Sequence, residues 1–339
     1  MADYKRNEAR EWAWQNLMGC SGVTIPSYSA DLKHLNERGI RHDIQKIASL
    51  GFKSTLLCTE VAITPEENAQ FTAWAKDTAG GRLDLFFHAG FGTLGDNIEA
   101  VKLAEKAGAD IALLSYPSNF WPTSEQDIYD YTKEFCDATD LAVMLFAIPL
   151  WGFERVHPQG MSPELIRRLI DECPNVVSLK AEQGFPHIGG LVESYHRFKD
   201  DVIISCPIES DIIPLMKFMD LQFSGTSYTQ WMGDHFPKTF NLAREGKWEE
   251  AMALYWQAQP ARAAVGAATG AYMAGSNYIN RAHWKYMDWL AGFNGGPLRA
   301  PIARIPDRMM KTLRQGLVAS KLECTSDDDS QFLIGRFPC

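Results

Sequence analysis

The segment NVVSLKAEQG ends an apolar run on a lysine, Lys180, with Glu182 two residues further on. A lysine so placed points into apolar surroundings, where an ammonium is costly unless it is paired or gives up its proton. A desolvated amine with a lowered pKa attacks carbonyl carbon, so imine formation is the chemistry that Lys180 offers. The bland alternative pairs it with Glu182 or lets it snorkel to the rim. His88 ends a second run, LDLFFHA. Its imidazole titrates near neutrality and suits acid/base work, or it is a core histidine bonded to a backbone carbonyl. Glu60 is the other proton carrier to consider, with a rim ion pair as its alternative.

Further residues sit at or just after such runs and are expected to contact substrate: Thr59, Tyr116, Asn119, Phe146 and Thr226. Trp151 and Arg155 lie in the long loop LWGFERVHPQG. A guanidinium meets a carboxylate bidentately, although a loop arginine is more often solvated. Phe120, Trp121, Phe146, Trp151 and Phe153 would line an apolar, aromatic mouth. Such a mouth favours a bulky apolar or aromatic substrate portion. No metal is expected: the eight histidines are dispersed, without HxH or HExxH spacing. No phosphate-binding loop or nucleophile elbow is visible, and no cofactor is expected.

These residues need a scaffold that gathers them. Eight apolar runs of strand length span 17–25, 52–58, 83–89, 110–116, 141–148, 175–181, 201–206 and 221–225. Most are apolar on both faces, as parallel strands covered by helices must be. Helical signals alternate with them. Ile40, Ile44 and Ile47 recur at helical spacing, Thr64-Pro65-Glu66-Glu67 is a capping box, and Ser162 precedes Pro163. Asp96 with Glu99 and Thr123 with Gln126 mark further starts, and Gly108 a stop. The alternation predicts an α/β fold, a (β/α)8 TIM barrel over residues 1–235. A C-terminal helical extension over 236–322 and an irregular tail over 323–339 follow. In such barrels the active site lies at the C-terminal ends of the strands, which is where the residues above fall.

Composition closes off other classes. A net charge of −9 argues against nucleic acid or an anionic membrane as partner. Seven cysteines without CxxC spacing suggest neither a zinc knuckle nor a disulfide framework, and a reducing cytoplasm is the expected location. No stretch approaches the roughly 18 apolar residues of a membrane span.

The run NVVSLKAEQG resembles the imine-forming strand of the dihydrodipicolinate synthase and N-acetylneuraminate lyase family, typically NIxGIKxxSG. LNERGIRHDIQKIASLGFKSTLL, NIEAVKLAEKAGADIALLSYP, FWPTSEQDIYDY, LFAIP, REGKWEEAMAL and FNGGPLRAPI are similar to further family segments, so the resemblance covers most of the chain. It implies a class I aldolase in which Lys180 forms a Schiff base with a 2-keto acid such as pyruvate. It also implies a homo-oligomer, a tetramer or dimer. The chain departs from the family at two places. Phe146 stands where the family has a proton-relaying tyrosine, and LLCTEVA replaces the GTTGE turn that binds the substrate carboxylate. Phenylalanine cannot relay a proton. The expected function is a carbon–carbon lyase acting on a 2-keto acid with an aromatic or apolar aldehyde portion. A dehydratase or deaminase using the same lysine, or a lapsed barrel kept as a binding protein, are the alternatives.

Overall fold

The computed structural model describes residues 3–185, 187–276, 281–301 and 304–339. Eight strands form one parallel sheet: β1 (Gly19–Thr24), β2 (Ser54–Leu57), β3 (Asp84–Ala89), β4 (Ile111–Leu114), β5 (Ala142–Ala147), β6 (Val176–Ala181), β7 (Ile203–Ser205) and β8 (Phe223–Ser224). Each lies inside one of the eight apolar runs. Their order is β7-β6-β5-β4-β3-β2-β1-β8, which brings the last two strands to the two edges. The edges meet through serine side chains. Gly225 N donates to Ser205 Oγ at 3.0 Å, and Ser224 Oγ donates to the Cys206 carbonyl at 3.0 Å. Two hydroxyls thus close the barrel where no backbone ladder does.

A helix follows every strand, from Glu37–Ser49 after β1 to His235–Arg244 after β8. Ile40, Ile44 and Ile47 are fully buried on one stripe of the first, as their spacing requires. Thr64 and Glu67 form the capping box, and Ser162 caps the helix that opens at Pro163. Two starts differ from the sequence reading. Thr93, not Asp96, is the cap, because its hydroxyl accepts the Asp96 N–H. Ser124 takes the cap expected at Thr123, with Asp127 completing the box.

The barrel floor is sealed by an element that the pattern did not announce. The short helix Ala9–Asn16 inserts Ala9, Ala13 and Leu17 among the inward-facing Phe86, Ile111 and Phe223. Arg10 fastens it to the wall. Its Nε donates to the Val176 carbonyl at 2.9 Å and its Nη2 to the Cys173 carbonyl at 3.2 Å, with Ile170 as a further acceptor.

Beyond the eighth barrel helix lie helices Trp248–Gln257, Gln259–Ser276, Arg281–Leu290 and Asp307–Ala319. The tail is mostly irregular but tied down. Phe332 is buried, and Ala30 N donates to the Cys339 carbonyl at 2.9 Å. Among the described residues no helix is long and apolar enough to cross a membrane.

One irregularity positions the chemistry. Along β5 and β6, Val143 pairs with Val176 but Met144 pairs with Ser178, so Val177 is an extra residue. Val176 and Leu179 face the outer core while Val177 joins the inner one. A strand alternates faces every residue, so one inserted residue reverses the parity beyond it. After the bulge Lys180 faces inward beside its partner Phe146.

The Arg10 anchor yields a measurable expectation. Arg10→Ala should lower stability by about 2 kcal/mol, the scale for hydrogen bonds from a charged donor. The urea midpoint should fall with the m-value unchanged; no shift would show that the floor helix holds by packing alone.

Candidate active site

A cleft of about 630 Å³ opens at the C-terminal ends of β5 to β8. Lys180, Glu182, Phe146 and Thr226 line it, together with Tyr228 and Trp284. None of its lining residues comes from β1 to β4. Trp256, Gln259 and Arg262 form a roof from the C-terminal helices. Arg262 is held by Glu209 through two bonds of 2.6 Å, which latches that roof to the β7 loop.

Lys180 is 8% exposed. Its Nζ lies 3.4 Å from Glu182 Oε1 and 3.7 Å from the centre of the Phe146 ring. Burial pulls the lysine pKa down and the Glu182 carboxylate pushes it part of the way back. The carboxylate is itself pushed up by burial, with the lysine opposing. Each ion is the other's main compensation in a water-poor site, and the face of the Phe146 ring adds a weaker attraction.

The other sequence candidates divide. Thr226 is in the cleft, 2% exposed, and its hydroxyl has no partner among the described residues. Trp151 stands behind Phe146, its indole N–H donating to the Phe146 carbonyl at 2.9 Å with the rings perpendicular. It props the ring that Lys180 lies on. His88 is buried with both nitrogens engaged: Nδ1 accepts from Thr59 N at 3.4 Å, and Nε2 is 3.0 Å from Ser115 Oγ. The Thr59 hydroxyl is spent on the His88 carbonyl at 3.0 Å. Glu60 forms an ion pair with Arg281. Tyr116 is turned into the wall, where its phenol meets Thr132 Oγ1 at 2.6 Å and its ring packs on Phe120, Tyr131 and Phe153. Asn119 is exposed on the loop after β4. Arg155 is exposed too, lying 3.6 Å over the Trp121 ring.

Glu182 and Glu209 were legible as candidates from their places just after the sixth and seventh runs. Sequence reasoning missed Arg262, Arg281 and the Tyr228–Trp284 pair, stacked at 4.4 Å, which left no local signal. A second buried lysine, Lys285, donates to the Pro26 carbonyl at 2.5 Å, and burial pulls its pKa down to about 8. It does not line the cleft.

Cys58, Glu60 and His88 bring potential metal-ligand atoms within 4.8 Å of one another. The Arg281 guanidinium already bonds Glu60 and reaches the Cys58 thiol. A cation of the protein's own therefore serves this cluster.

Fold and site together define a β/α barrel with a desolvated amine in its mouth. The sequence profile of the dihydrodipicolinate synthetase family matches residues 53–317, and the chain belongs to that family of class I aldolase-type carbon–carbon lyases. A DapA-like lyase of Pyrobaculum arsenaticum is 22% identical over 88% of this chain and 97% of its own length. A 4-hydroxy-tetrahydrodipicolinate synthase of Streptococcus pneumoniae is 25% identical over 78% of both chains. Among solved structures, dihydrodipicolinate synthase from Aquifex aeolicus superposes with a TM-score of 0.74 at 18% identity, covering 91% of this chain and 100% of its own. The Thermotoga maritima enzyme gives 0.74 at 17% identity, covering 90% and 99%. At these identities the structural likeness shows the fold.

His88 yields a prediction with a definite sign. Burial, then the Lys180 charge, pushes its pKa down to about 3, from an ordinary value near 6.5. The unfolded chain takes up a proton below about pH 6.5 that the native site refuses. The histidine's contribution is therefore full above that pH and is lost as pH falls toward about 3. The His88 imidazole resonances should stay constant from about pH 8 to pH 5; a midpoint near 6.5 would place the ring in contact with water.

Proposed function

We propose that the protein is a Schiff-base lyase that makes or breaks a carbon–carbon bond beside the carbonyl of a 2-keto acid, with Lys180 as the amine. The observation that carries this is the inward-facing amine in the cleft, desolvated yet held by one carboxylate among the described residues. Family membership supports the reaction class, and the names of the relatives support a pyruvate-type acid.

In this reading the Lys180 nitrogen adds to the keto carbon and the carbonyl π bond opens. The oxygen collects two protons, one from the amine and one from an acid, and leaves as water. The protonated imine then accepts, through the carbon next to it, the electron pair of the bond from that carbon to the one beyond, leaving an enamine as the aldehyde departs. Protonation of the enamine and addition of water release the keto acid and restore the amine. A base must take the proton from the hydroxyl that becomes that aldehyde. Phe146 offers no proton, His88 has both nitrogens engaged, and Glu60 is bound to Arg281. Glu182 is the group left within reach, and its upward-shifted pKa suits a carboxyl that holds and returns a proton. The aldehyde portion would lie between Tyr228 and Trp284 on one side and Trp256 on the other, which favours an aromatic or apolar group. A cytoplasmic homo-oligomer, tetramer or dimer, completes the reading, and light scattering on the purified protein tests the assembly.

Borohydride reduction with pyruvate should add the reduced three-carbon unit to Lys180 and leave Lys285 unmodified. Lys180→Ala should abolish both the adduct and turnover while retaining the fold. Intact wild-type protein that traps no keto acid would overturn the reading. The trapping rate should rise with pH through a midpoint below the ordinary lysine value of 10.5. Glu182→Gln removes the charge that raises the lysine pKa, so the midpoint should move lower still; an upward move would contradict the pairing.

A further inference from the structure

Two hydroxyls on the loop after β8 are unmet. Thr226 and Thr229 are each 2% exposed, and neither Oγ1 has a partner among the described residues. Both residues line the cleft with Lys180. A buried hydroxyl without a partner is destabilising, and a bound acceptor relieves it. Strand register brings the loop close to the amine. Lys180 pairs with Ser205 of β7, and Ser205 Oγ accepts the Gly225 N–H at 3.0 Å and donates to the Gly225 carbonyl. Thr226 follows directly, so two strand spacings, about 10 Å between backbones, separate it from Lys180. The loop is also firmly seated. A Cβ at Gly225 would lie 2.4 Å from Ser21 Cβ, so the chain passes close against β1. Thr229 N donates to Gln230 Oε1 at 3.3 Å, and the Gln230 amide donates to the Val23 carbonyl at 2.6 Å and to Asp288 at 2.9 Å.

We propose that Thr226 and Thr229 hold the carboxylate of the 2-keto acid whose carbonyl meets Lys180, an assignment that rests on the imine reading of that lysine. A carboxylate offers acceptors only, presents two oxygens, and lies one bond from the carbon that the amine attacks. The positive imine formed at Lys180 compensates its charge, so the anchor needs donors and not a second cation. The groups that could compete are engaged or in water. Arg262 is held by Glu209, the Tyr228 phenol donates to the Trp284 carbonyl, and the Tyr255 phenol donates to the Ser210 carbonyl at 2.9 Å. Gln259 is exposed. At the end of β2, Thr59 lies outside the cleft lining, and its hydroxyl is bonded to the His88 carbonyl.

The test removes the hydroxyls and keeps the shape. Wild type, Thr226→Val, Thr229→Val and the double variant are trapped with borohydride over a range of pyruvate and of methyl pyruvate. Binding of lactate, an acid that forms no imine, is measured by calorimetry. Each single valine should raise the half-saturating pyruvate concentration about tenfold, the scale of one hydrogen bond to a charged group. Methyl pyruvate, whose ester lacks the charge, should shift by no more than about threefold. Lactate affinity should fall in parallel with that for pyruvate. The trapping rate at saturation should hold, as loss of binding common to ground and transition states requires. Thr226→Ser, which keeps the donor, should stay close to wild type. Because the valines replace unmet hydroxyls, the melting temperature should be unchanged or higher. Unchanged pyruvate and lactate affinities in the double variant would overturn the proposal, and a lower melting temperature beside them would make the hydroxyls structural. Equal losses for pyruvate and its ester would overturn it as well. Wild type that traps neither ketone but binds lactate through these threonines would remove the imine reading alone. Wild type that neither traps a ketone nor binds lactate would overturn both.

Discussion

An ammonium removed from water loses hydration worth several kcal/mol, and the protein must return enough of it to keep the site folded without returning so much that the amine is inert. Lys180 sits between these limits. The one-residue bulge at Val177 turns its side chain from the outer core into the barrel, where Phe146 and Glu182 are its immediate company. A second carboxylate would hold the proton firmly. With none, the charge would have no compensation, and the neutral amine would be the only tolerable form. One carboxylate, itself destabilised by burial, leaves the proton transferable between the two groups.

The rest of the mouth follows from keeping that site dry. Below it, Phe86 and Phe223 stack at 6.1 Å, and the floor helix fills the opening beneath them. The interior beneath Lys180 is therefore filled by apolar side chains. His88 remains neutral chiefly because it is buried, with repulsion from the Lys180 charge adding to that. Glu60 serves Arg281 as Glu182 serves Lys180. The two cations of this end of the barrel are thus each met by one carboxylate, and the imidazole beside them is neutral.

How much of this the sequence disclosed depends on the range of the interaction. The eight strands and most helix starts were readable, because apolar runs and caps are written in adjacent residues. Lys180 was readable because it terminates such a run. The bulge that aims it was not, since Val177 differs in no local way from its neighbours and becomes extra only against β5. Tyr116 shows the same limit from the other side: a tyrosine ending a strand has two faces available, and packing against Phe120, Tyr131 and Phe153 chose the wall. Arg281 lies 221 residues from Glu60, and no periodicity connects them. The tail composition CTSDDDSQ reads as irregular, which it mostly is. Its anchoring through Phe332 and Cys339 depends on surfaces formed elsewhere.

The cleft's one-sidedness has a consequence for specificity. Its barrel residues come from β5 to β8, whereas its roof comes from helices Trp248–Gln257 and Gln259–Ser276, beyond the barrel. The groups nearest the amine are fixed by strand register, where a one-residue change reverses a side chain's face. The roof is fixed by the Arg262–Glu209 latch and by packing of helix on helix, which tolerates exchange of size and polarity. The surroundings of the amine and the roof of the cleft therefore rest on different stretches of chain with different tolerance for change. A substitution at Trp256 or Gln259 can reshape the roof while leaving the Lys180–Glu182 geometry intact, whereas deletion of Val177 would remove the extra residue and redirect the lysine.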